Sequence, residues 1–421
     1  MFVEKKKSFY PFFNKDFFRL WFAVLLFAAG TWQEHVSIGY LIYELTNSEL
    51  QLTFVFAVRF IPFLIISNYI GYLADIFNRK NLLSLIMLLG SVGMFGFASL
   101  IYFEIYNYFI ILTYVFLSGC IWSSVMLTQQ SYSFDIIGPK FAAPGTALTK
   151  GADRIGGAIG GYFAGKLVSR FFHLPFLLSG VFQLLASMMI LSNSKLSKFS
   201  PDSKKSNKPN ITEILFILKN NKVLLGIILL TIGTEIFGFS HNGIIPVLVK
   251  DVLNGDSDDL GFMMVLRQLG GIAGILSIII FGHIQRKGLW LLNSALGLAF
   301  SVLFLGFANN YYIFIIVIFL LNIFASSCDS LYQIIAQKSV PNSDRGKAMG
   351  AWVFALGTGP LGYLIMGLII TFVKSNEISW LPLNLYNSPG PQFALNLNGF
   401  ILIIIVLIAI YYSQKLKEFK D

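Results

Sequence analysis

The sequence is poor in charged residues and in cysteine. Charged side chains make up 12% of its 421 residues, against roughly 25% in a typical soluble domain. Its two cysteines, Cys120 and Cys328, both fall in apolar stretches, so we expect small packing residues and no disulfide. The sequence has no metal-ligand spacing, phosphate-binding loop or nucleophile motif. We therefore expect no metal site, no cofactor and no enzymatic activity.

Long hydrophobic runs are abundant instead. Hydrophobic residues make up 56% of the chain, and runs of about 20 residues, enough to cross a hydrocarbon core of roughly 30 Å, recur along it. Backbone polar groups inside lipid must be paired within their own segment, so these runs are expected to be helices. The predicted fold class is an all-α polytopic membrane protein with twelve transmembrane helices. The predicted spans are residues 18–44, 50–74, 81–103, 108–132, 143–169, 173–193, 223–250, 260–283, 288–308, 311–336, 346–372 and 393–413.

Lysine and arginine set the predicted orientation. The formal net charge is +10, and most of the 31 basic residues become cytoplasmic when both termini are placed inside. The basic balance therefore indicates topology, and no nucleic-acid partner is expected. The N-terminal segment lacks a small-residue cleavage site, so the first span is predicted to be retained. We expect a multi-pass protein of the bacterial cytoplasmic membrane.

The two halves of the chain resemble each other. The predicted domains are a six-helix bundle at 1–193, a basic cytoplasmic linker at 194–222 and a second six-helix bundle at 223–421. Matching positions recur at an offset of 203 to 208 residues. They are Gly30-Thr31 with Gly233-Thr234, His35 with His241, Arg59 with Arg267, Asn107-Tyr108 with Asn310-Tyr311, and Gln130 with Gln333. Internal repeats of this kind are typical of secondary transporters, which bind substrate near the bilayer midplane between the repeats.

A polar stretch, GYLADIFNRK at 71–80, interrupts the apolar sequence after span 2. Gly71 permits close helix approach, and Asp75 can face the positive N-terminal end of a neighbouring helix. Arg79 and Lys80 are expected at the lipid headgroups, where they can pair with Asp75. The stretch resembles the loop between helices 2 and 3 of the major facilitator superfamily, which implies a latch that holds the cytoplasmic gate shut. An ordinary positive-inside loop is the alternative.

Further segments are similar to the twelve-span efflux branch that includes macrolide and enterobactin exporters. These segments are FRLWFAVLLFAAGTW (18–32), YLIYELTNSELQLTFVFAVRFIPFLI (40–65), PNSDRGKAMG (341–350) and ALGTGPLGYLIMG (355–367). The chain departs from drug antiporters of this superfamily in two places. Span 4 lacks their arginine, and the glycine-rich span 5 has Gly157 where they have proline. The resemblance therefore does not imply their route of drug–proton coupling.

Ionisable residues within the spans are candidates for function, because a charge at mid-depth costs on the order of 2.5–3.5 kcal/mol. Carboxylates removed from water can exchange protons in the physiological range. The proton-coupling candidates are Glu34, Asp153, Glu235 and Asp329. The candidates for lining a substrate cavity are His35, Arg59, Arg154, His241 and Arg267. For the arginines, a structural tie to a facing carboxylate and contact with an anionic substrate are both open. Lys150 can also hold Asp153 in a structural i,i+3 pair.

The sequence thus predicts a secondary active exporter, driven by protons, for a small amphipathic or chelating molecule. The main alternative is a siderophore transporter, since three intramembrane arginines suit a carboxylate-rich chelator. A non-transporting receptor or scaffold is the alternative of another class. The expected partners are the lipid bilayer, a small-molecule substrate and protons, and the protein is expected to be a monomer. The sequence leaves open the substrate and the direction of transport.

Overall fold

The computed structural model describes residues 10–138, 141–194, 211–281, 284–341, 344–376 and 386–419, which are helical almost throughout, with no strand in these ranges. The long helices are α1 (Lys15–Thr46), α2 (Glu49–Ile76), α3 (Arg79–Tyr102), α4 (Tyr108–Ile137), α5 (Ala142–Val168), α6 (Leu174–Leu191), α7 (beginning as Lys222–Gly233), α8 (Ser257–Ile280), α9 (Lys287–Leu305), α10 (Tyr311–Lys338), α11 (Arg345–Leu356, then Gly359–Asn376) and α12 (Pro389–Tyr412). Short helices cover Tyr10–Phe13, Ile211–Asn220 and Gln414–Lys417.

The predicted all-α membrane fold is confirmed. Ten helical stretches in the described residues are both long enough and apolar enough to cross a membrane. The other two predicted spans coincide with α1 and α5, which are long enough at 32 and 27 residues. Polar residues near their middles, at 33–35 and 150–154, make these two helices less apolar. Their membrane crossing stays a prediction.

The chain divides into two compact units. Unit 1 comprises Met1–Leu45, Val58–Ser206 and Ser257–Val265, and unit 2 comprises Thr46–Ala57, Asn207–Asp256 and Leu266–Asp421. The first part of α2 therefore belongs to unit 2, and the first part of α8 belongs to unit 1. The predicted halves at 1–193 and 223–421 did not anticipate that the starts of α2 and α8 would belong to opposite units. The division into these halves stays a prediction about the sequence repeat.

The repeat is visible in how corresponding helices begin. Asn107 and Asn310 are the N-cap residues of α4 and α10, and each side chain accepts a backbone N–H bond of the first turn. Asn47 and Asn254 precede α2 and α8, and both are left-handed, with φ of 46° and 52°. Asparagine adopts this conformation more readily than most residues. Asparagines with the same role at helix starts thus recur about 205 residues apart, in line with the predicted repeat.

Two helices are irregular where they carry intramembrane polar residues. In α2, Pro62 lies inside the helix three residues after Arg59 and removes one backbone hydrogen bond. In α7, the regular helix gives way to a π-helical segment at Thr234–Gly238, a 3₁₀ segment at Phe239–Ile244 and a second π-helical segment at Leu248–Val252. Single π-helical turns inside helices are frequent at functional sites.

Candidate functional site

A buried ion pair joins α1 and α2 in unit 1. Arg59 Nη2 donates a hydrogen bond of 2.9 Å to Glu34 Oε2. The side chains are 1% and 0% exposed, so water does not screen their attraction. Of the two alternatives for Arg59, the structure shows the tie to a facing carboxylate. Glu34 and Arg59 were both candidates, but the sequence did not indicate that they pair.

Helix α4 completes the surroundings of this pair. The guanidinium carbon of Arg59 lies 5.7 Å from the centre of the Trp122 ring, a cation–π distance. The Tyr114 hydroxyl donates a hydrogen bond of 2.8 Å to Met94 Sδ and lies near enough to Glu34 for the two groups to interact electrostatically. Gly119 makes this approach possible, because any Cβ there would overlap the Arg59 carbonyl oxygen. Tyr114 and Gly119 were missed by the sequence analysis, since neither carries a charge.

The pair keeps some hydrogen-bonding capacity. Glu34 Oε1 and Arg59 Nη1 are buried and make no hydrogen bond to other described residues. The neighbouring His35 is buried and packs edge-to-face against Trp32, with ring centres 5.3 Å apart. The ion pair is therefore nearly neutral, and it keeps one hydrogen-bond donor and one acceptor that can bind a further polar group.

The polar residues of α5 are less buried. Lys150, Asp153 and Arg154 are each partly exposed, and each has a polar, electrostatic or ring contact. They lie in the middle of α5, as the sequence predicted.

The π-helical segment of α7 holds Glu235 in unit 2. Glu235 is partly buried, and it lies close enough to Asp329 of α10 for the two charges to interact. A hydroxyl pair lies beside them, with Thr234 Oγ1 and Tyr332 Oη 3.2 Å apart. The structure thus brings together two of the predicted proton-coupling candidates, although they are 94 residues apart in the sequence.

Helix α11 packs closely against the same segment. It is interrupted after Leu356 and resumes at Gly359. A Cβ on Gly359 would lie 3.4 Å from Glu235 Oε2, and one on Gly362 would lie 2.8 Å from the Ile236 Cα. The glycines therefore let the start of this helical segment, which carries a positive partial charge, approach the Glu235 carboxylate.

A second polar group in unit 2 is formed by His241 and Arg267, the repeat counterparts of His35 and Arg59. Both are buried, and the charge of Arg267 acts on the His241 ring. His241 Nδ1 lies 2.7 Å from the Gly238 carbonyl oxygen, so in this geometry Nδ1 is the donor. A neutral His241 then presents Nε2 as an acceptor, and this atom has no hydrogen-bond partner among the described residues.

At the predicted cytoplasmic ends, Arg79 contacts a residue that the sequence analysis missed. Arg79 Nη1 donates a hydrogen bond of 2.7 Å to Asp135 Oδ1 at the end of α4, and Nε donates to the Ala74 carbonyl. Asp135 was overlooked because span 4 was predicted to end at 132. Gly71 and Asp75 lie in α2, but the side chain of Asp75 is outside the described part of the structure.

Lys80 differs from expectation. It was predicted at the lipid headgroups, but it is 7% exposed and donates a hydrogen bond of 2.6 Å to the Asn193 carbonyl after α6. A lysine at this place satisfies a carbonyl near a helix C-terminus, where a positive charge is favourable.

Three comparisons with known proteins agree with this architecture. Residues 6–373 match the family described as transmembrane secretion effector. The staphyloferrin A transporter of Staphylococcus aureus (strain NCTC 8325 / PS 47) is 24% identical over 361 residues, which cover 84% of this chain and 89% of that protein.

Among solved structures, a bacterial homologue of the human lysosomal transporter Spinster, in an inward-facing and unoccupied conformation, is similar with a TM-score of 0.72. It is 13% identical, with 97% of this chain and 98% of that chain covered. A D-xylose–proton symporter is similar with a TM-score of 0.69 and 16% identity, with 94% and 97% covered. At these identities the likeness concerns the fold.

Proposed function

Because the chain belongs to the transmembrane secretion effector family of the major facilitator superfamily, and is therefore a transporter and not an enzyme, we propose that it exports a carboxylate-rich siderophore. The observation that carries this proposal is the similarity to the staphyloferrin A transporter, at 24% identity over 84% of the chain. The family description as a secretion effector favours the outward direction. Membership in a transporter family removes the support for a receptor or scaffold.

The buried cations support an anionic substrate. An anionic chelator that enters an apolar environment needs cationic partners, since an uncompensated charge there is costly. Arg267, whose charge acts on the His241 ring, and the acceptor Nε2 of that ring suit a ligand with carboxylate and hydroxyl groups. In unit 1, Arg59 keeps an available Nη1 donor of its own, although Glu34 neutralises most of its charge.

The Arg59–Glu34 pair favours a second candidate substrate. Arg59 is neutralised by Glu34 inside unit 1, and a neutral or cationic amphipathic drug needs fewer positive partners than a chelator does. Export of such a drug is the alternative that the experiment below separates from siderophore export.

Coupling to protons is part of the proposal. Glu34 is held by Arg59, whereas Glu235 lies close enough to Asp329 for their like charges to repel. One proton bound between Glu235 and Asp329 would relieve their repulsion, and its release would restore it. We assign proton coupling to these two residues, in the bacterial cytoplasmic membrane, in a monomer with both termini in the cytoplasm.

The test is binding and transport by the purified protein in proteoliposomes. Iron-free and ferric staphyloferrin A are compared with a macrolide panel, and Arg267→Gln is compared with Arg286→Gln, an exposed arginine at the start of α9. We expect saturable chelator binding that Arg267→Gln weakens at least tenfold and Arg286→Gln leaves unchanged. Saturable macrolide binding without chelator binding would overturn the siderophore proposal in favour of drug export.

A further inference from the structure

The starts of α3 and α9 occupy equivalent places in the repeat but differ in the charge beside them. Arg286-Lys287 follows Arg79-Lys80 by 207 residues, and each basic pair opens a helix. Lys338 follows Asp135 by 203 residues, and each lies in the last turn of its helix, α10 and α4. The carboxylate of unit 1 is thus replaced by an ammonium group in unit 2.

In unit 1, the basic helix start has two acceptors beside it. Arg79 Nη1 donates a hydrogen bond of 2.7 Å to Asp135 Oδ1. The Asn78 side chain, at the N-cap of α3, accepts from two backbone N–H groups. In unit 2, the N-cap residue of α9 is Arg286, whose side chain makes no capping bond to the described backbone. The positions that supply acceptors at α3 therefore carry cations at α9.

The result is a group of three cations, Arg286, Lys287 and Lys338, which we call the basic cluster. Arg286 and Lys338 are exposed. Lys287 is only 7% exposed, and it is close enough to Lys338 for their like charges to interact. Repulsion between like charges grows when water is excluded from one of them. An anion bound beside the basic cluster would offset this repulsion.

An open pocket of about 490 Å³ adjoins the basic cluster. Arg286, Trp290 and Asn293 are among the residues that line it, and Ile284 borders it. Arginine donates strong hydrogen bonds to phosphate oxygens, and tryptophan is enriched at the level of the lipid headgroups. Ile284 and the preceding Phe281 are exposed, so apolar surface lies next to the polar groups.

We propose that the basic cluster and this pocket bind the phosphate group of an anionic phospholipid, such as phosphatidylglycerol. The predicted topology places the start of α9 at the cytoplasmic surface of the membrane, whose negative lipids attract basic residues. The exposed apolar residues beside the pocket suit the acyl chains, which a free phosphate ion lacks.

The side chains of the basic cluster are the partners of the lipid, because the backbone at this helix start already has a partner. The C-terminal segment reaches α9, where the Phe419 carbonyl accepts a hydrogen bond of 3.4 Å from the Gly288 N–H. Glu418, the acidic residue of this segment, accepts a bond from Gln414.

The lipid site is separate from the proposed substrate site. Between Arg267 and the end of α8 at Ile280 lie roughly 20 Å of helix, at 1.5 Å per residue. Arg286 follows this helix, so it can bind a lipid without contacting a chelator.

The test measures lipid binding by the full-length protein in detergent. Native mass spectrometry compares phosphatidylglycerol with phosphatidylcholine of the same acyl chains. Arg286→Gln and Lys338→Gln each remove one exposed charge of the basic cluster, and Lys15→Gln removes one exposed charge at the start of α1. We expect the parent to prefer phosphatidylglycerol and each cluster variant to lose about fivefold of that affinity, the order expected for one basic residue at a membrane surface. Lys15→Gln should leave it unchanged.

A second variant, Lys338→Asp, gives α10 the carboxylate that Asp135 supplies to α4. It should bind phosphatidylglycerol no better than phosphatidylcholine. Its unfolding midpoint without lipid should exceed that of the parent, because an internal counter-ion takes the place of the lipid. Phosphatidylglycerol should raise the midpoint of the parent and not that of Lys338→Asp.

The proposal is overturned if the parent binds both lipids equally, or if Lys15→Gln loses as much affinity as Arg286→Gln, which would indicate attraction by net charge alone. Inorganic phosphate is the third arm of the test. If it raises the unfolding midpoint of the parent as much as phosphatidylglycerol does, the site takes a free phosphate and the lipid assignment is wrong. No substrate is added, so these results are independent of whether the protein exports a siderophore.

Discussion

Arg59 and Glu34 form an ion pair between α1 and α2 that is almost completely shielded from water, with 2.9 Å between Nη2 and Oε2. Removing either partner leaves the other charged and buried, which costs about 3–5 kcal/mol of stability. We therefore expect Arg59→Met or Glu34→Gln to lower the unfolding midpoint in detergent markedly. The double variant should recover part of the loss, because neither charge then remains unpaired.

The exposed Glu104→Gln is the matched control for Glu34→Gln and should leave the midpoint unchanged. Additive losses in the double variant would contradict a direct interaction between Arg59 and Glu34.

Gly119 is expected to tolerate no side chain. In Gly119→Ala the new methyl group would collide with the Arg59 carbonyl and would lie 3.1 Å from Pro62 Cγ, so α4 would have to move away from α2. Overpacking of this kind costs about 1–3 kcal/mol. Gly93→Ala is the control, because nothing lies within 4 Å of an added Cβ there. Thermal unfolding should rank Gly119→Ala well below the parent and Gly93→Ala at or above it.

Glu235 and Asp329 are expected to be needed for proton coupling but not for substrate movement. The variant with Glu235→Gln and Asp329→Asn lacks both titratable groups, so a pH gradient should no longer drive accumulation in proteoliposomes. Exchange of labelled for unlabelled substrate without a gradient should continue. Glu418→Gln, an exposed carboxylate near the C-terminus, serves as control. Gradient-driven accumulation by the double variant would refute this assignment.

Asp75 is expected to act at the predicted cytoplasmic gate. Asp75→Asn removes the charge with little change of shape, so the protein should fold and insert normally while its transport rate falls at least tenfold. Asp344→Asn is the control, since Asp344 belongs to a partly exposed pair with Lys347, 3.3 Å apart. Transport at the parent rate by a well-expressed Asp75→Asn variant would rule out the latch.

The helices and their approximate ends could be predicted because the length of an apolar run is a direct physical requirement for crossing a bilayer. The intramembrane ionisable residues could be predicted for the same reason, as costly exceptions to those runs. Their partners could not. Glu34 and Arg59 lie on different helices, and which faces of α1 and α2 meet depends on packing residues such as Gly119, which carry no polar signal.

Two further features could not be predicted from the sequence. Asp135 was missed because an error of a few residues at the end of span 4 removed it from consideration, and helix ends are the least certain part of a prediction. The placement of the starts of α2 and α8 in opposite units depends on contacts such as Glu49–Lys374 and Asp258–Lys166, between residues 325 and 92 positions apart. A hydrophobicity pattern reports only local periodicity and holds no information about such contacts.

Because the start of α8 belongs to unit 1, the two units cannot be completed one after the other during biosynthesis. Unit 1 includes Ser257–Val265, which follow its preceding segment, ending at Ser206, by about 50 residues. The ribosome must therefore synthesise α7 and the start of α8 before unit 1 can gain the Lys166–Asp258 pair and the close contact between Gly165 and Gly261. A nascent chain that stops after α6 can insert its helices but lacks this part of its own packing. Completion of the first unit is thus a late step, which depends on insertion of the second half.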